Sequence, residues 1–450
     1  MTRQLHLGLF IYPGGHHIAG WRHPTTPAAE LSSLSYYRTQ IRLAEKGKFD
    51  LFFVGDTLFT REKDGRFFGR QATSNLDPVS LCATLSAVTE RIGLVGTLST
   101  TYHEPYAIAS KFATLDHVSA GRAGWNVVTT WEDKAALNFS RDRAMEKADR
   151  YVRGREFVDA CMALWDSWDD AALLRDQASG RFCDPALIHP VHHHSDSFSV
   201  RGPLRQPRPV QGWPVLVQAG GSPPGREFAA MVAEAIFTAQ TRLDEAKEFR
   251  TSTHARMAKY GRRPDEVVIM PGLSPLLGST EAEVLRLEEE IGDLVHSEVG
   301  IWMLSENLNF PLYDYDPNDR LPVELIRSAK KPTANADTLL SEAEHRNLTI
   351  DGAARFIARS RSHQNFVGTP EQLADLMQHW LEQGGCDGFN VMPPYFPNQL
   401  EVFVDQVVPL LQRRGIFRTE YEGTTLRENL GLARPSPGQF QRMLARAAAA

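Results

Sequence analysis

Short apolar runs alternate along this chain with amphipathic stretches, and that alternation predicts its architecture. Eight runs read as strands: "LHLGLF" (5–10), "FDLFFV" (49–54), "IGLVGTLS" (92–99), "AGWNVVTT" (123–130), "PVLVQA" (214–219), "AIFTA" (235–239), "VVIMPGL" (267–273) and "GFNVMP" (388–393). The segments between them carry helical spacing with legible ends. Leu34, Tyr37, Ile41 and Ala44 form one stripe, which Gly47 stops. Asp77-Pro78 and Glu104-Pro105 each start another, because proline suits the first helical turn. Strands that are apolar throughout and separated by helices predict a parallel sheet covered by helices, and eight such units predict an α/β (β/α)8 TIM barrel.

The spacing also predicts one barrel domain over residues 1–450 with two long insertions, at about 166–213 and about 297–364, and a C-terminal tail from about 416 to 450. The first insertion holds "FSVRGPLRQPRPVQG", an extended excursion with turns, and the second holds "NFPLYDYDPNDRLP". Long connections in a compact domain are functional lids or mobile surface segments, and a lid is expected for the second. The closing "LARAAAA" reads as a frayed helical tail.

Composition narrows the chemistry. A formal net charge of −6 with both signs interspersed argues against nucleic acid as a partner. Cys82, Cys161, Cys183 and Cys386 are far apart without a CxxC pair, which suggests neither a zinc site nor a disulfide framework. No apolar run approaches the ~18 residues of a membrane span or the pattern of a signal peptide, so a cytoplasmic protein with no membrane partner is expected. Histidines at 16, 17 and 23 and at 189 and 192–194 lack a spaced carboxylate pair, so no metal is expected. No nucleophile elbow supports hydrolase chemistry.

In a barrel the reactive groups leave the carboxyl ends of strands. Asp56 leaves the second, Thr97 and Thr101 bracket the end of the third, Asn126 and Thr130 belong to the fourth, and Ser222 follows the fifth. Each has the plainer alternative of capping the next helix. Asn126 poses the sharpest question, because a buried amide without a partner costs about 1–3 kcal/mol. In "VLVQAGGSPPGREFAA", Gly220 and Gly221 let backbone approach an anion, Ser222 offers a hydroxyl, and the amides of Gly225 and Arg226 would open a helix toward it. An ordinary βα turn explains the same stretch. Arg61, Lys63, Arg66 and Arg70 with Phe59, Phe67 and Phe68 follow the second strand and suit an anionic or aromatic substrate, as they suit a solvated loop.

"GRAGWNVVTT", "DRYVRGREFVDACMALWDSW", "RGPLRQPRPVQGWPVLVQAGGSPPGREFAA" and "VVPLLQRRGIFRTEYEGTTLRENLGL" together resemble a known group. It is the flavin-dependent two-component monooxygenases of the nitrilotriacetate monooxygenase component A and dibenzothiophene-sulfone monooxygenase type, within the bacterial luciferase-like superfamily. The resemblance implies reduced FMN (FMNH2) at the carboxyl rim, with O2 as co-substrate. A separate NAD(P)H:FMN oxidoreductase would deliver the FMNH2. It implies a C4a-hydroperoxyflavin that passes one oxygen atom to a small-molecule substrate. It places Asp56 and Asn126 near the isoalloxazine, Thr97 and Thr130 beside them, and Tyr151 with Ser222 at the phosphate. Relatives often carry histidine four residues before that tyrosine, where this chain has Lys147, so no catalytic residue is assigned. A homo-oligomer is expected. The alternative is a flavin- or deazaflavin-dependent dehydrogenase on the same barrel; a non-catalytic flavin-binding protein would leave the long insertions without a use.

Overall fold

A computed structural model of the chain describes all residues except 1–2, 61, 64–65, 68, 71, 73–74, 330–335, 360–362 and 444–450. The "LARAAAA" tail lies outside the described residues, as do Arg61 and Phe68. Eight parallel strands form the barrel: β1 (His6–Ile11), β2 (Leu51–Val54), β3 (Gly93–Ser99), β4 (Ala123–Val128), β5 (Val215–Gln218), β6 (Ala235–Thr238), β7 (Val268–Leu277) and β8 (Gly388–Val391). Each pairs with the next, and β8 returns to β1 to close the sheet. All eight sequence runs are these strands. The helical starts hold too: Asp77 caps Pro78–Ser86 by accepting from the Ser80 amide at 2.7 Å, and Pro105 opens Pro105–Val118.

The strand alternation sorts side chains between two layers. On β4, Trp125 is fully buried outside the barrel, with its ring 5.6 Å from Phe112 and 6.3 Å from Trp165. Its neighbour Asn126 points the other way, into the barrel with Thr97 of β3. Phe10, Phe53 and Phe237 meet inside at centroid distances of 4.9 to 5.7 Å, filling the middle with apolar rings.

The C-terminal tail has a structural task that the sequence pattern did not suggest. Leu426, Leu430 and Leu432 join the interior cluster of Leu51, Val95, Val215 and Val268, plugging the end of the barrel where the strands begin. Gly93 has to be glycine there, since a Cβ would overlap the Leu426 side chain. Buried charges fasten this plug. Asp50 accepts from Arg418 at 2.7 Å and from the Leu7 amide at 2.7 Å, and Arg427 pairs with Glu234 at 2.9 Å.

β7 runs four residues beyond its sequence reading. Its outer half, Leu273–Leu277, pairs with an additional strand, Gln364–Gly368, which the apolar pattern concealed because only Phe366 and Val367 in it are strongly apolar. Before that strand lie helices Glu281–Asp293, Ser297–Leu308, Val323–Ser328, Ala336–His345 and Ile350–Ala358. Trp302, Leu304, Leu308, Leu340 and Ile350 give this region its own apolar cluster, seated on Ile18 and Ala19 of the loop after β1. Between helix Lys147–Trp165 and β5 run two small hairpins. His193–His194 forms one edge of the second, with His193 half-buried and His194 exposed, so adjacent histidines do face opposite ways.

Candidate functional site at the carboxyl rim of the barrel

Asn126 is 4 % exposed, and its two polar atoms have different fates. Nδ2 donates to Thr97 Oγ1 at 2.9 Å, and that hydroxyl donates onward to the Val54 carbonyl at 2.7 Å, tying β4 to β3 and β2. Oδ1 is buried with no hydrogen-bond partner among the described residues. A buried acceptor in that state is costly unless a ligand or water meets it. The register forced this pair, because Thr97 and Asn126 are directly opposed across the β3–β4 ladder.

Thr130 lies two residues past the end of β4 rather than within it. Its hydroxyl donates to Ser99 Oγ at 2.7 Å, and Ser99 Oγ also accepts from the Thr101 amide at 3.1 Å. The rim of β3 and β4 is thus a hydroxyl-lined ledge. Asp56 sits at the end of β2, half-buried, beside a cavity of about 90 Å3 lined by Phe10, Tyr12, Tyr37 and Leu76. Burial pushes its carboxyl up to about 6, with the negative charge of Asp77 adding to the rise and the Thr57 amide opposing it.

The turn after β5 departs in one respect from the sequence expectation. Ser222 caps helix Pro223–Val232 by accepting from the Gly225 amide at 3.3 Å, and the Arg226 amide is taken by the Ser222 carbonyl at 2.8 Å. Proline at the first two helical positions advances the cap, so these amides close the first turn and do not face a ligand. The amides left without an acceptor among the described residues are those of Gly221 and Ser222. Gly221 is open on its Cβ side, and Tyr151 Oη stands 3.4 Å from Ser222 Oγ. The structure therefore brings together Thr97 with Asn126, and Tyr151 with Gly220, Gly221 and Ser222; Asp56 stands apart on the β2 side. Lys147 is exposed at the start of the helix that carries Tyr151.

Two residues here escaped the sequence reading. Arg150 is 8 % exposed, makes one hydrogen bond of 3.4 Å to the Thr130 carbonyl, and leaves Nε without an acceptor. Tyr102 stacks on Phe139 at 4.6 Å with its hydroxyl buried and without a partner among the described residues. One signal for Arg150 was available: a cation in the first turn of a helix opposes the macrodipole. On the β2 loop, Phe67 is exposed and Arg70 pairs with Glu298 of the insertion at 3.4 Å. A cavity of about 340 Å3 beneath the insertion is lined by Arg355, Arg359, Glu288 and Asp293. Its charges pair with one another and call for no ligand.

The chain was compared with known proteins. Residues 15–388 match the model of the luciferase-like monooxygenase family. N-acetyl-S-(2-succino)cysteine monooxygenase of Bacillus subtilis (strain 168) is 45 % identical over 96 % of this chain and 98 % of its own. Nitrilotriacetate monooxygenase component A of Aminobacter aminovorans is 43 % identical over the same shares, 96 % and 98 %. Among solved structures, a riboflavin lyase with modified FMN and riboflavin superposes with a TM-score of 0.83 at 30 % identity, over 96 % of this chain and 97 % of its own. The barrel, its carboxyl-rim site and these likenesses agree: the chain is an oxidoreductase that belongs to the luciferase-like monooxygenases.

Proposed function

We propose that this chain is the oxygenase of a two-component system. It takes FMNH2 from a separate NAD(P)H:FMN oxidoreductase and inserts one atom of O2 into a small organic substrate. Asn126 Oδ1 carries this conclusion, being a buried acceptor inside a strand with its amide nitrogen already committed to Thr97. An isoalloxazine edge offers N–H donors that would satisfy it. The name "component A" of one relative and the modified FMN in the lyase structure support the same assignment.

Reduced flavin, when bound, supplies the activation of O2. The protein's share is binding, orientation and exclusion of water. Asn126 and Thr97 orient the ring system from the barrel side, with Thr130 beside them. Ser222, Tyr151 and the free amides of Gly221 and Ser222 form a donor set suited to a phosphate. Phe10, Phe53 and Phe237 keep the floor dry. Asp56, raised by burial, holds a proton on its carboxyl oxygen up to about pH 6. The described residues of the 297–364 insertion serve as a lid, seated on the β1 loop and joined to the β2 loop through Arg70 and Glu298.

Oxygen uptake with candidate substrates tests this. The purified chain should consume O2 and form oxygenated product only when FMNH2 is supplied, by a reductase or chemically. Efficient NADH oxidation by the chain alone would contradict the two-component assignment, and substrate turnover without O2 would favour a dehydrogenase.

A further inference from the structure

We propose that Arg150 is the charged ligand of the flavin phosphate, seated in the gap between the ends of β4 and β5. This rests on the flavin assignment above. An arginine with nine-tenths of its surface buried, its Nε without an acceptor and no carboxylate partner among the described residues is an expensive arrangement unless an anion completes it.

Position says where that anion sits. Arg150 and Tyr151 are consecutive on helix Lys147–Trp165, yet they reach different strands. Arg150 contacts the Thr130 carbonyl beyond β4, and Tyr151 contacts Ser222 beyond β5. β4 and β5 are neighbours in the sheet, with Trp125 opposite Leu216, so the two contacts stand at adjacent strand ends, the Thr130 carbonyl also accepting from Thr101 beyond β3. At the β5 end stand the amides of Gly221 and Ser222, unpaired among the described residues, and the open space on the Cβ side of Gly221. Further along the helix, Gly154 packs against Thr129 and Phe228, which fixes the face that carries Arg150 and Tyr151 toward the rim.

Lys147 and Arg150 place two cations in the first turn of this helix, against its dipole, with only Asp149 as an acidic residue there. A dianion bound at that end reverses the sign of the interaction and turns the arrangement into a favourable one. A phosphate monoester fits this set of two hydroxyls, two amides and a guanidinium better than a carboxylate, which has two oxygens to share among them.

The test compares two ligands that differ only in the phosphate. Chemically reduced FMN and reduced riboflavin are titrated anaerobically against the full chain, R150K and R150Q. FMNH2 should bind R150Q about 10- to 100-fold more weakly than it binds the unmodified chain, with R150K between them and reduced riboflavin within about twofold in all three. Equal losses for both flavins, or no loss for FMNH2, overturn the proposal. An unmodified chain that binds neither flavin overturns the flavin assignment. Arg150 is then judged by a second arm, in which inorganic phosphate is compared with chloride at equal ionic strength. A phosphate-specific rise in Tm that R150Q lacks supports the anion site, and an equal rise or none overturns it. Should R150Q fail to fold, R150K takes its place in both arms and is judged by the same criteria.

Discussion

The two ends of the barrel handle buried polar groups in opposite ways. At the end where the strands begin, carboxylates and guanidinia meet each other: Asp50 with Arg418 and His6, and Glu234 with Arg427. Among the described residues, what is left over there is mostly single N–H groups on side chains already bonded elsewhere, such as Arg418 and Arg427, with His254 Nε2 as an exception. At the end where the strands finish, whole functions lack partners. Among the described residues, Asn126 offers a free carbonyl, Tyr102 a free hydroxyl and Arg150 a guanidinium without a counter-charge. Asp56 is a carboxyl that burial has moved toward neutrality. One end spends its polar groups on holding the chain together. The other keeps them for something that is not part of the chain.

Mutation should therefore act differently at the two ends, and the largest effect belongs to the plugged one. Arg418→Met breaks a buried ion pair, leaving Asp50 with only His6 and the Leu7 amide beside it among the described residues, and should cost about 3–5 kcal/mol in chemical denaturation. Flavin affinity of the molecules that remain folded should hardly change. Loss of affinity with little loss of stability would erase the contrast between the ends.

Ser222→Ala sits on the border, since the hydroxyl both caps a helix and faces the proposed phosphate site. It should cost about 1 kcal/mol of stability for the cap and a further ~1–2 kcal/mol of FMNH2 affinity, with riboflavin affinity unchanged. A purely structural Ser222 would show the first loss without the second.

Asp56→Asn should stabilise the free protein, in a pH-dependent way. Because the folded carboxyl titrates near 6 instead of its ordinary 3.8, the folded chain binds more protons than the unfolded chain between those values. Stability is therefore lost as pH rises from about 4 through about 6. The variant escapes that loss, and the gain should reach roughly 1–2 kcal/mol at pH 7, after allowance for partial exposure, and vanish as pH falls toward 4. A gain that persists at pH 4 would remove the carboxyl's titration from the explanation. The accompanying fall in oxygenation would mark stability traded for function.

The barrel was legible because its strands are apolar on both faces and its helices carry proline starts and a glycine stop, all local signals. The sites were legible to the extent that they follow strand ends: Thr97, Asn126 and Ser222 stand where the periodicity put them. Arg150 was not, because its burial depends on a helix packing across β4, which no local pattern records. The additional strand at Gln364–Gly368 was hidden for a similar reason, as it forms against an overhang of β7 that the sequence does not announce. The plug at Leu426–Leu432 falls in what the sequence marks only as a C-terminal tail, until the barrel interior that receives it is known.

Asn126→Leu tests the central contrast most directly, by replacing a lone buried acceptor with an apolar side chain of similar volume. If Oδ1 awaits the flavin, the substitution removes an unsatisfied group, and unfolding free energy without ligand should stay within about 0.5–1 kcal/mol of the unmodified chain. FMNH2 affinity should fall about tenfold or more, with hydrogen peroxide released in place of oxygenated product. A variant destabilised by about 1–3 kcal/mol that still binds FMNH2 normally and oxygenates substrate without releasing peroxide would contradict the account, for it would make Asn126 a strand-to-strand tie through Thr97 and nothing more.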